Sequence, residues 1–148
     1  MNEIINIRLA TQGDYSFCYY VRKETMKEYI EKMYGWNAKR EKENHRKYFS
    51  MTMKGKNIIE LDNIKIGLFW YEEEQDYIEI NKIFILSKYQ NKGIGSKIIV
   101  EIINNGKNKN KSVILGVLKS SEKAQNLYKK LGFIEYNQTD TEIQLKIN

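Results

Sequence analysis

The sequence predicts an α/β (α+β) fold in which one mixed sheet has helices on both faces. First, 148 residues with 41% hydrophobic side chains are enough for a single domain with one core. Second, segments with the period of strands alternate with segments of helical period, in the order strand, two helices, three strands, helix, strand, helix and two strands. Third, the almost wholly apolar run Ser112–Leu118 is typical of a buried strand parallel to its neighbour.

The N-terminal part of the chain predicts a strand followed by two helices. Residues 4–10 alternate enough to form the strand, and Thr11 followed by Asp14 is typical of a helix start. Apolar residues then recur near helical spacing until Gly35, which we expect to end the helix. Asn37 is suited to cap a second, mostly charged helix.

The middle of the chain predicts three consecutive strands. Residues 57–61 and 64–71 are predicted to form a hairpin closed by a tight polar turn at Asp62 and Asn63. The acidic residues 72–76 are predicted to form a solvated loop, with attraction of a cationic substrate as an alternative role. This loop leads to the next strand, Tyr77–Ile85.

A glycine-containing turn, Gln90–Lys97, leaves this strand and opens a helix whose isoleucines share one face. The first amides of a helix lack intrahelical partners and carry partial positive charge. Because Gly93 and Gly95 have no side chain to keep an anion away, a phosphate or pyrophosphate can bind there, with Lys92 adding charge. A tight turn without a ligand is the alternative. The dinucleotide fingerprint fails because Ile98 stands where its third glycine is required, and the P-loop pattern is absent.

The C-terminal part predicts a lysine-rich loop, a strand, a helix and two closing strands. The lysine run at residues 106–111 is typical of a solvated loop. The helix is expected to end at Gly132 and to have four apolar-face residues, Ala124, Leu127, Tyr128 and Leu131. Residues 133–136 and 142–147 are predicted to be the last two strands.

Two motifs, separated by a strand, occur together in this chain. The first is Gln90-x-x-Gly93-x-Gly95 after a strand, and the second is the segment Asn126–Phe133, with the sequence NLYKKLGF. Together they resemble the GNAT family of acetyl-CoA-dependent N-acetyltransferases. The resemblance implies a single GNAT acetyltransferase domain over residues 1–148, with a mixed, mostly antiparallel central sheet. It also implies that the fourth and fifth strands splay apart and leave a cleft for acyl-CoA.

The resemblance further implies how coenzyme A would be bound. In that family the first motif holds the pyrophosphate, and the backbone at the end of the fourth strand pairs with the pantetheine arm like an added strand. The coenzyme-binding positions carried over are Ile83, Phe84, Ile85, Gln90, Asn91, Lys92, Gly93, Ile94, Gly95, Ser96 and Asn126. Two positions depart from the family pattern, since Ser87 stands where proline is frequent and Ser121 where asparagine is common. The first departure affects turn rigidity, and the second weakens one expected polar contact.

Tyr128 and Glu79 are the predicted catalytic residues. The resemblance puts a tyrosine of the last helix near the thioester sulfur, which implies that Tyr128 donates to the departing thiolate. The same tyrosine also fits a core aromatic. Glu79 lies between two isoleucines of an expected interior strand, at a position where some family members carry a base. Partial burial there would raise its pKa and suit a general base, and a solvent-facing glutamate is the alternative.

Aromatic residues near the acceptor side of that fold predict a pocket for a cationic amine. The candidate substrate-binding residues are Tyr29, Trp36 and Trp70, each of which also fits a core position. Polyamine, aminoglycoside, amino acid, peptide N-terminus and protein lysine all stay open as acceptors. The predicted partner is thus a small-molecule or peptide amine, and a homodimer is open because dimerisation is common among such relatives.

Composition bounds the other function classes. The 25 basic and 19 acidic residues give a net charge of +6, but the lysines are spread along the chain, which matches a polyanionic cofactor better than nucleic acid. The chain has one cysteine, Cys18, and one histidine, His45, so neither an intrachain disulfide nor a zinc site is expected. No apolar run is long enough for a membrane helix, and Met1–Ile4 does not begin a signal peptide, so we expect a cytoplasmic protein without a metal. A non-catalytic module that senses acyl-CoA is the alternative to an acyltransferase.

Overall fold

The computed structural model describes residues 4–148. Two predictions involve residues 1–3: the absence of a signal peptide and the start of the single domain. Residues 1–3 lie outside the described residues. The strands are β1 Ile5–Leu9, β2 Lys56–Leu61, β3 Ile64–Glu73, β4 Tyr77–Ile85, β5 Ser112–Leu118, β6 Ile134–Gln138 and β7 Glu142–Ile147. The α-helices are α1 Tyr15–Tyr34, α2 Ala38–Met51, α3 Ile94–Asn108 and α4 Glu122–Lys130, with 3-10 turns at Gln12–Asp14 and Ser87–Tyr89. This order of elements, with helices flanking a sheet, confirms the predicted fold class.

The described strands form one mixed, mostly antiparallel sheet in the order β1-β2-β3-β4-β5-β7-β6. The pairs β1–β2, β2–β3, β5–β7 and β6–β7 are antiparallel, whereas β4 and β5 are parallel. The parallel ladder begins with Tyr77 opposite Ser112 and its last pair is Ile80 opposite Leu115. The sequence-based prediction that the buried fifth strand runs parallel to its neighbour is therefore confirmed.

The chain divides into two compact units. One extends to Trp70 and includes Lys82–Lys92, and the other consists of Tyr71–Asn81 with Gly93–Asn148. Both β3 and β4 contribute residues to each unit. The single domain over the whole chain stays a prediction.

In the first unit, α1 and α2 pack against β2 and β3 around one apolar cluster. Its buried members are Ala10, Cys18, Val21, Phe49, Ile58, Leu68 and Leu86. Phe84 and Tyr89 pack against this cluster, so the end of β4 and the turn that follows it are tied to the same core. Each large apolar side chain buried in this way contributes about 1.5–3 kcal/mol to stability.

Local signals in the sequence set the helix and hairpin boundaries of this unit. Gly35 has a φ of 73° and ends α1, and the side chain of Asn37 accepts a hydrogen bond of 3.0 Å from the Arg40 amide. Asp62 and Asn63, with φ of 50° and 69°, close the β2–β3 hairpin. The predicted helix stop, helix cap and tight turn are therefore confirmed. Glycine and short polar residues are suited to these positions because they tolerate such backbone conformations best.

A buried carboxylate, Asp14, links β1 to the start of α1. Its side chain is 1% exposed and accepts two hydrogen bonds from the Arg8 guanidinium, at 2.8 and 2.9 Å. The Lys65 ammonium lies 2.7 Å away, and the Thr11 amide donates at 2.9 Å. Hydrogen bonding from Arg8 is the main reason that the pKa of Asp14 lies well below its usual range, despite the opposing effect of burial.

In the second unit, α3 packs closely on β5. The buried residues of its predicted apolar face are Ile94, Ile98, Ile99 and Ile103. A Cβ on Gly106 would lie only 2.9 Å from the Lys111 carbonyl oxygen and 3.1 Å from Val113 Cγ2. The prediction of a solvated loop at residues 106–111 is wrong for its first half, because α3 continues to Asn108 and Gly106 is buried in this contact.

The C-terminal elements differ from the sequence prediction in two details. Leu127 is 37% exposed, so the inward face of α4 is narrower than predicted and holds half-buried residues Ala124, Tyr128 and Leu131. β6 covers Ile134–Gln138 rather than residues 133–136, and the Phe133 amide donates to the Tyr128 carbonyl oxygen at 3.1 Å instead of joining the strand. The predicted strand at residues 142–147 is confirmed. Among residues 4–148, none of the helices has both the length and the apolar character that crossing a membrane requires.

Candidate active site

The segment that follows β4, residues 86–92, is held in place by hydrogen bonds within the first unit. The Leu86 amide donates to the Ile66 carbonyl oxygen of β3 at 2.9 Å. The side-chain amide of Gln90 donates to the carbonyl oxygen of Ile85, the last residue of β4, at 2.8 Å. The side chain of Gln90, a predicted coenzyme contact, is thus engaged with the strand that precedes it.

The first turn of α3 presents backbone amides beside open space. Gly93 caps the helix with a φ of 79°, and Asn91 also has a positive φ, of 62°. An ideal Cβ placed on Gly93 or Gly95 meets no heavy atom within 4 Å among the described residues outside the local backbone. Ile94 is 5% exposed, so its side chain belongs to the core while its amide lies in the turn. Free amides, the helix dipole and this space together suit an anion.

Two more predicted coenzyme positions in this region differ in exposure. Lys92 is exposed and its ammonium lies 5.8 Å from the centre of the Tyr89 ring, whereas Ser96 is half-buried in the first turn of α3. A lysine held near an aromatic face keeps its charge close to the turn.

The end of β4 contains the half-buried residues Ile83, Phe84 and Ile85, which are the predicted pantetheine positions. β3 approaches them very closely, because a Cβ on Gly67 would lie 2.3 Å from the Phe84 carbonyl oxygen. Sequence reasoning missed Gly67, although an isolated glycine inside a strand is a signal for such close approach. Any side chain there would push the end of β4 out of position.

Glu79 lies on the face of β4 opposite the buried side chains of Ile78 and Ile80, and it is half-buried. Burial is the main cause that raises its pKa, and repulsion from the carboxylates of Glu72 and Glu74 adds to it. A raised pKa makes a carboxylate a stronger base, so the environment has the direction that the predicted role requires.

Tyr128 of α4 is half-buried, and its ring packs edge-on against Phe133 with centroids 6.0 Å apart. Burial raises the pKa of its phenol, which keeps the hydroxyl protonated. A protonated phenol can donate a hydrogen bond to another molecule. Asn126, two residues earlier in α4, is exposed.

The predicted acceptor residues Tyr29, Trp36 and Trp70 are all half-buried in the first unit. The Lys27 ammonium lies 5.9 Å from the Trp36 ring centre. Trp70 buries its indole N–H without a hydrogen-bond partner in the described part of the chain. An unpaired buried donor is costly, so Trp70 has an unmet donor that an oxygen of a ligand or water can satisfy.

Glu73, the last residue of β3, has a structural role. Glu73 accepts hydrogen bonds from the ammonium groups of Lys109 and Lys111, at 3.1 and 2.8 Å, and these bonds lower its pKa. The prediction of a solvated loop at residues 72–76 is wrong in its bounds, because Glu72 and Glu73 belong to β3, although Glu73 is exposed as predicted. The chain separation of 36 residues between Glu73 and Lys109 explains why no local pattern indicated this pair.

Asn81 on β4 is a second residue that sequence reasoning missed. Its side-chain N–H group is buried and has no hydrogen-bond partner among residues 4–148. The signal was available, because asparagine is uncommon inside strands and Asn81 follows the apolar residue Ile80.

Cys18 and His45 belong to the interior of the first unit. Cys18 is 3% exposed and its pKa is raised by burial, which disfavours the reactive thiolate. His45 is buried against the rings of Tyr15 and Phe49. No group of three or more histidine, cysteine or acidic side chains suited to a metal ion occurs in the described residues.

The sequence matches the model of a known protein family. Residues 54–135, more than half of the chain, match the family described as Acetyltransferase (GNAT) domain. The chain therefore belongs to the GNAT acetyltransferases, as the two motifs predicted. Among curated proteins, no sequence is significantly similar to this chain.

Solved structures with the same fold include three N-acetyltransferases. The PaiA N-acetyltransferase of Thermoplasma acidophilum, in complex with coenzyme A, has a TM-score of 0.77 at 16% identity, covering 97% of this chain and 98% of its own. The ribosomal-protein-S18-alanine N-acetyltransferase of Escherichia coli has a TM-score of 0.73 at 16% identity, covering 97% and 93%. Arabidopsis thaliana Naa50, with the bisubstrate analogue CoA-Ac-MVNAL, has a TM-score of 0.71 at 14% identity, covering 97% and 98%. At identities this low, the TM-scores show that these proteins share the fold of this chain, and the fold alone.

Proposed function

We propose that this protein is an N-acetyltransferase that transfers the acetyl group of acetyl-CoA to a primary amine by direct attack in a ternary complex. The observation that carries the proposal is the open space at Gly93 and Gly95, next to the free amides of α3, in the motif that the family uses for the coenzyme pyrophosphate. A bulky neighbour against either glycine would have argued for a turn without a ligand. The residues that would hold the coenzyme are those carried over from the family: Ile83, Phe84, Ile85, Gln90–Ser96 and Asn126.

Glu79 is the proposed general base. A lysine-like acceptor has a pKa near 10.4 and is an ammonium ion at neutral pH, so it must lose a proton before it can attack. Glu79 takes this proton, directly or through water, and the amine nitrogen bonds to the thioester carbonyl carbon as the carbon–sulfur bond breaks. The nitrogen loses its second proton as the amide forms, and the products are the N-acetyl amine, the free coenzyme thiol and one released proton.

Tyr128 is the proposed donor to the departing sulfur. Its pKa is raised above the ordinary value of about 10, whereas a free thiol has a pKa near 8.5. Complete proton transfer from phenol to thiolate is therefore uphill. Tyr128 acts mainly by donating a hydrogen bond to the sulfur while negative charge builds there, and the second amine proton can then neutralise the thiolate.

The acceptor is proposed to be a small-molecule or peptide amine. The names of two structural neighbours refer to a peptide or protein substrate: the ribosomal-protein-S18-alanine N-acetyltransferase, and Naa50 with the analogue CoA-Ac-MVNAL. This supports peptide N-termini as candidate acceptors. Tyr29, Trp36 and Trp70 are the proposed contacts. We further propose that the chain is one cytoplasmic domain, which a single cooperative unfolding transition and cell fractionation would support.

The experiment that tests the function is a thiol-release assay with acetyl-CoA against a panel of amines, peptides and protein lysines. We expect turnover with at least one acceptor, and kcat about 100-fold lower in Tyr128→Phe with little change in coenzyme affinity. If calorimetry gives heat with coenzyme A while no acceptor in the panel supports turnover, the non-catalytic acyl-CoA sensor is the better account. If coenzyme A gives no heat, both functions are refuted.

A further inference from the structure

We infer that Glu24 of α1 is a positioning residue for the coenzyme-binding turn and acts through Ser87. The inference rests on the proposed function, because that proposal assigns the turn to coenzyme A. It concerns a helix that contributes none of the proposed coenzyme contacts.

The contact itself consists of two hydrogen bonds to one carboxylate oxygen. The Ser87 amide donates to Glu24 Oε1 at 2.9 Å, and the Ser87 hydroxyl donates to the same oxygen. These bonds are the largest cause of a lowered pKa at Glu24, and the hydroxyl of Tyr20 adds a further hydrogen bond. The carboxylate is therefore preferentially charged, and it is bonded to a residue 63 positions away in the chain.

Serine is what makes this contact available. Proline, which is frequent at this position in GNAT proteins, has neither an amide proton nor a hydroxyl and could make neither bond. The backbone does not require serine, because Leu86 has a φ of −58° and a ψ of 142°, which suits a residue before proline. Ser87 is also the first residue of its 3-10 turn, where proline is tolerated. The two bonds to Glu24 are thus an addition to the turn and not a condition for its shape.

The position of the contact links it to the coenzyme site. Leu86 is fixed to β3 through Ile66, and Gln90 is fixed to Ile85. Ser87 lies between these two anchors, three residues before the first motif residue. Glu24 therefore adds an attachment to α1 in the segment that must hold the motif still. A more mobile turn would have to be ordered when the coenzyme binds, which lowers affinity.

The decisive variants remove the contact from either side. Glu24→Ala should raise the Kd for coenzyme A and the KM for acetyl-CoA by about 3- to 10-fold, the modest effect expected of charged hydrogen bonds that are exposed. Ser87→Ala, which loses the hydroxyl bond and keeps the amide bond, should raise both by a smaller factor. The kcat at saturating acetyl-CoA should stay unchanged. Glu24→Gln keeps an accepting oxygen and should recover part of the loss. The double variant should be no worse than the more affected single variant, because both remove one interaction.

A matched control is available on the same helix. Glu28 is also exposed and pairs with Lys32 within α1, so Glu28→Ala should change the Kd less than twofold. The Glu24→Ala effect should be constant between pH 6 and 9, because the lowered pKa keeps the carboxylate charged over this range. A pH-dependent effect, or one seen in kcat alone, would overturn a positioning role for Glu24.

Hydrogen exchange supplies a readout that does not depend on the coenzyme. The amides of Tyr89 and Gln90 bond to carbonyl oxygens of Leu86 and Ser87, and they should exchange faster in Glu24→Ala. Unchanged exchange together with an unchanged Kd would overturn the inference. If the wild-type chain itself does not bind coenzyme A, the proposed function fails and the coenzyme part of the inference fails with it. The exchange rates then still decide whether Glu24 anchors the turn.

Discussion

Substitution of Gly95 by leucine tests whether this position needs glycine to bind a ligand or to maintain the fold. Gly95 lies in the first turn of α3, and it is not among the described residues with a positive φ. An added Cβ would meet no heavy atom within 4 Å in residues 4–148 outside the local backbone. The folded chain alone therefore gives no steric reason for glycine at this position.

The expected changes in stability and affinity have opposite signs. Leucine forms helices better than glycine, so Gly95→Leu should leave the free energy of unfolding unchanged or raise it by about 0.5–1 kcal/mol. In the complex, the leucine would fill the space that we assign to the pyrophosphate. Loss of one charge-assisted hydrogen bond costs about 1.5–3 kcal/mol, which corresponds to a Kd about 10- to 100-fold higher.

The assay is calorimetry with coenzyme A, combined with urea denaturation of the same samples. Val100→Leu is the control. Val100 is 39% exposed on α3, and its substitution by leucine also adds bulk to that helix. Wild-type affinity in a stable Gly95→Leu protein would show that the diphosphate does not bind at this turn. Such a result would remove the main support for the proposed function.

Three further predictions concern stability and pH. Asp14→Asn should lower the free energy of unfolding at pH 7 by about 2–3 kcal/mol in urea denaturation, because Arg8 loses its buried partner. The pKa of Asp14 is lowered in the folded state, so its contribution to the free energy of unfolding is present above the pKa of the unfolded state and is lost as the pH falls through the pKa of the folded state. The stability of the variant should therefore approach that of the wild type in strong acid. Glu79→Gln should remove the acidic limb of the kcat profile, a limb that lies above the ordinary glutamate pKa because burial raises it. Gly106→Ala should lower the melting temperature, at a cost of about 1–3 kcal/mol, because its Cβ would press on the Lys111 carbonyl oxygen.

Each of these outcomes has a clear contrary. An Asp14→Asn protein as stable as wild type at pH 7 would mean that the Arg8 contact contributes little. An unchanged acidic limb in Glu79→Gln would assign the base to another group. A Gly106→Ala protein with wild-type stability would require α3 to shift on β5 without cost.

Local sequence patterns predicted most of the elements correctly. The bounds of β4 at Tyr77 and Ile85 are those predicted, and Gly35 and Asn37 end and begin helices as expected. These features depend on residues within one turn of each other, which is why they can be read from the chain. The prediction for the lysine run, residues 106–111, was partly wrong because its composition is that of a loop. Gly106 packs closely in the structure, and α3 extends through the first half of the run.

The site was predicted unevenly for the same reason. The glycines of the first motif were recognisable because the motif is contiguous, and the direction of the Glu79 pKa followed from its place between two isoleucines. The catalytic roles of Glu79 and Tyr128 stay predictions. Asn81 was overlooked, since whether a side-chain amide in a strand finds a partner depends on what the neighbouring strands bring to it.

Periodicity, helix caps and two short motifs were enough to give the fold class and the family, because each depends on neighbours along the chain. The partners of individual side chains came only from the folded molecule. Glu24 and Ser87 are 63 positions apart, Glu73 and Lys109 are 36 apart, and Gly67 meets the backbone of Phe84 from another strand. No local pattern encodes such contacts, because they form only when packing brings distant segments within hydrogen-bond or van der Waals distance.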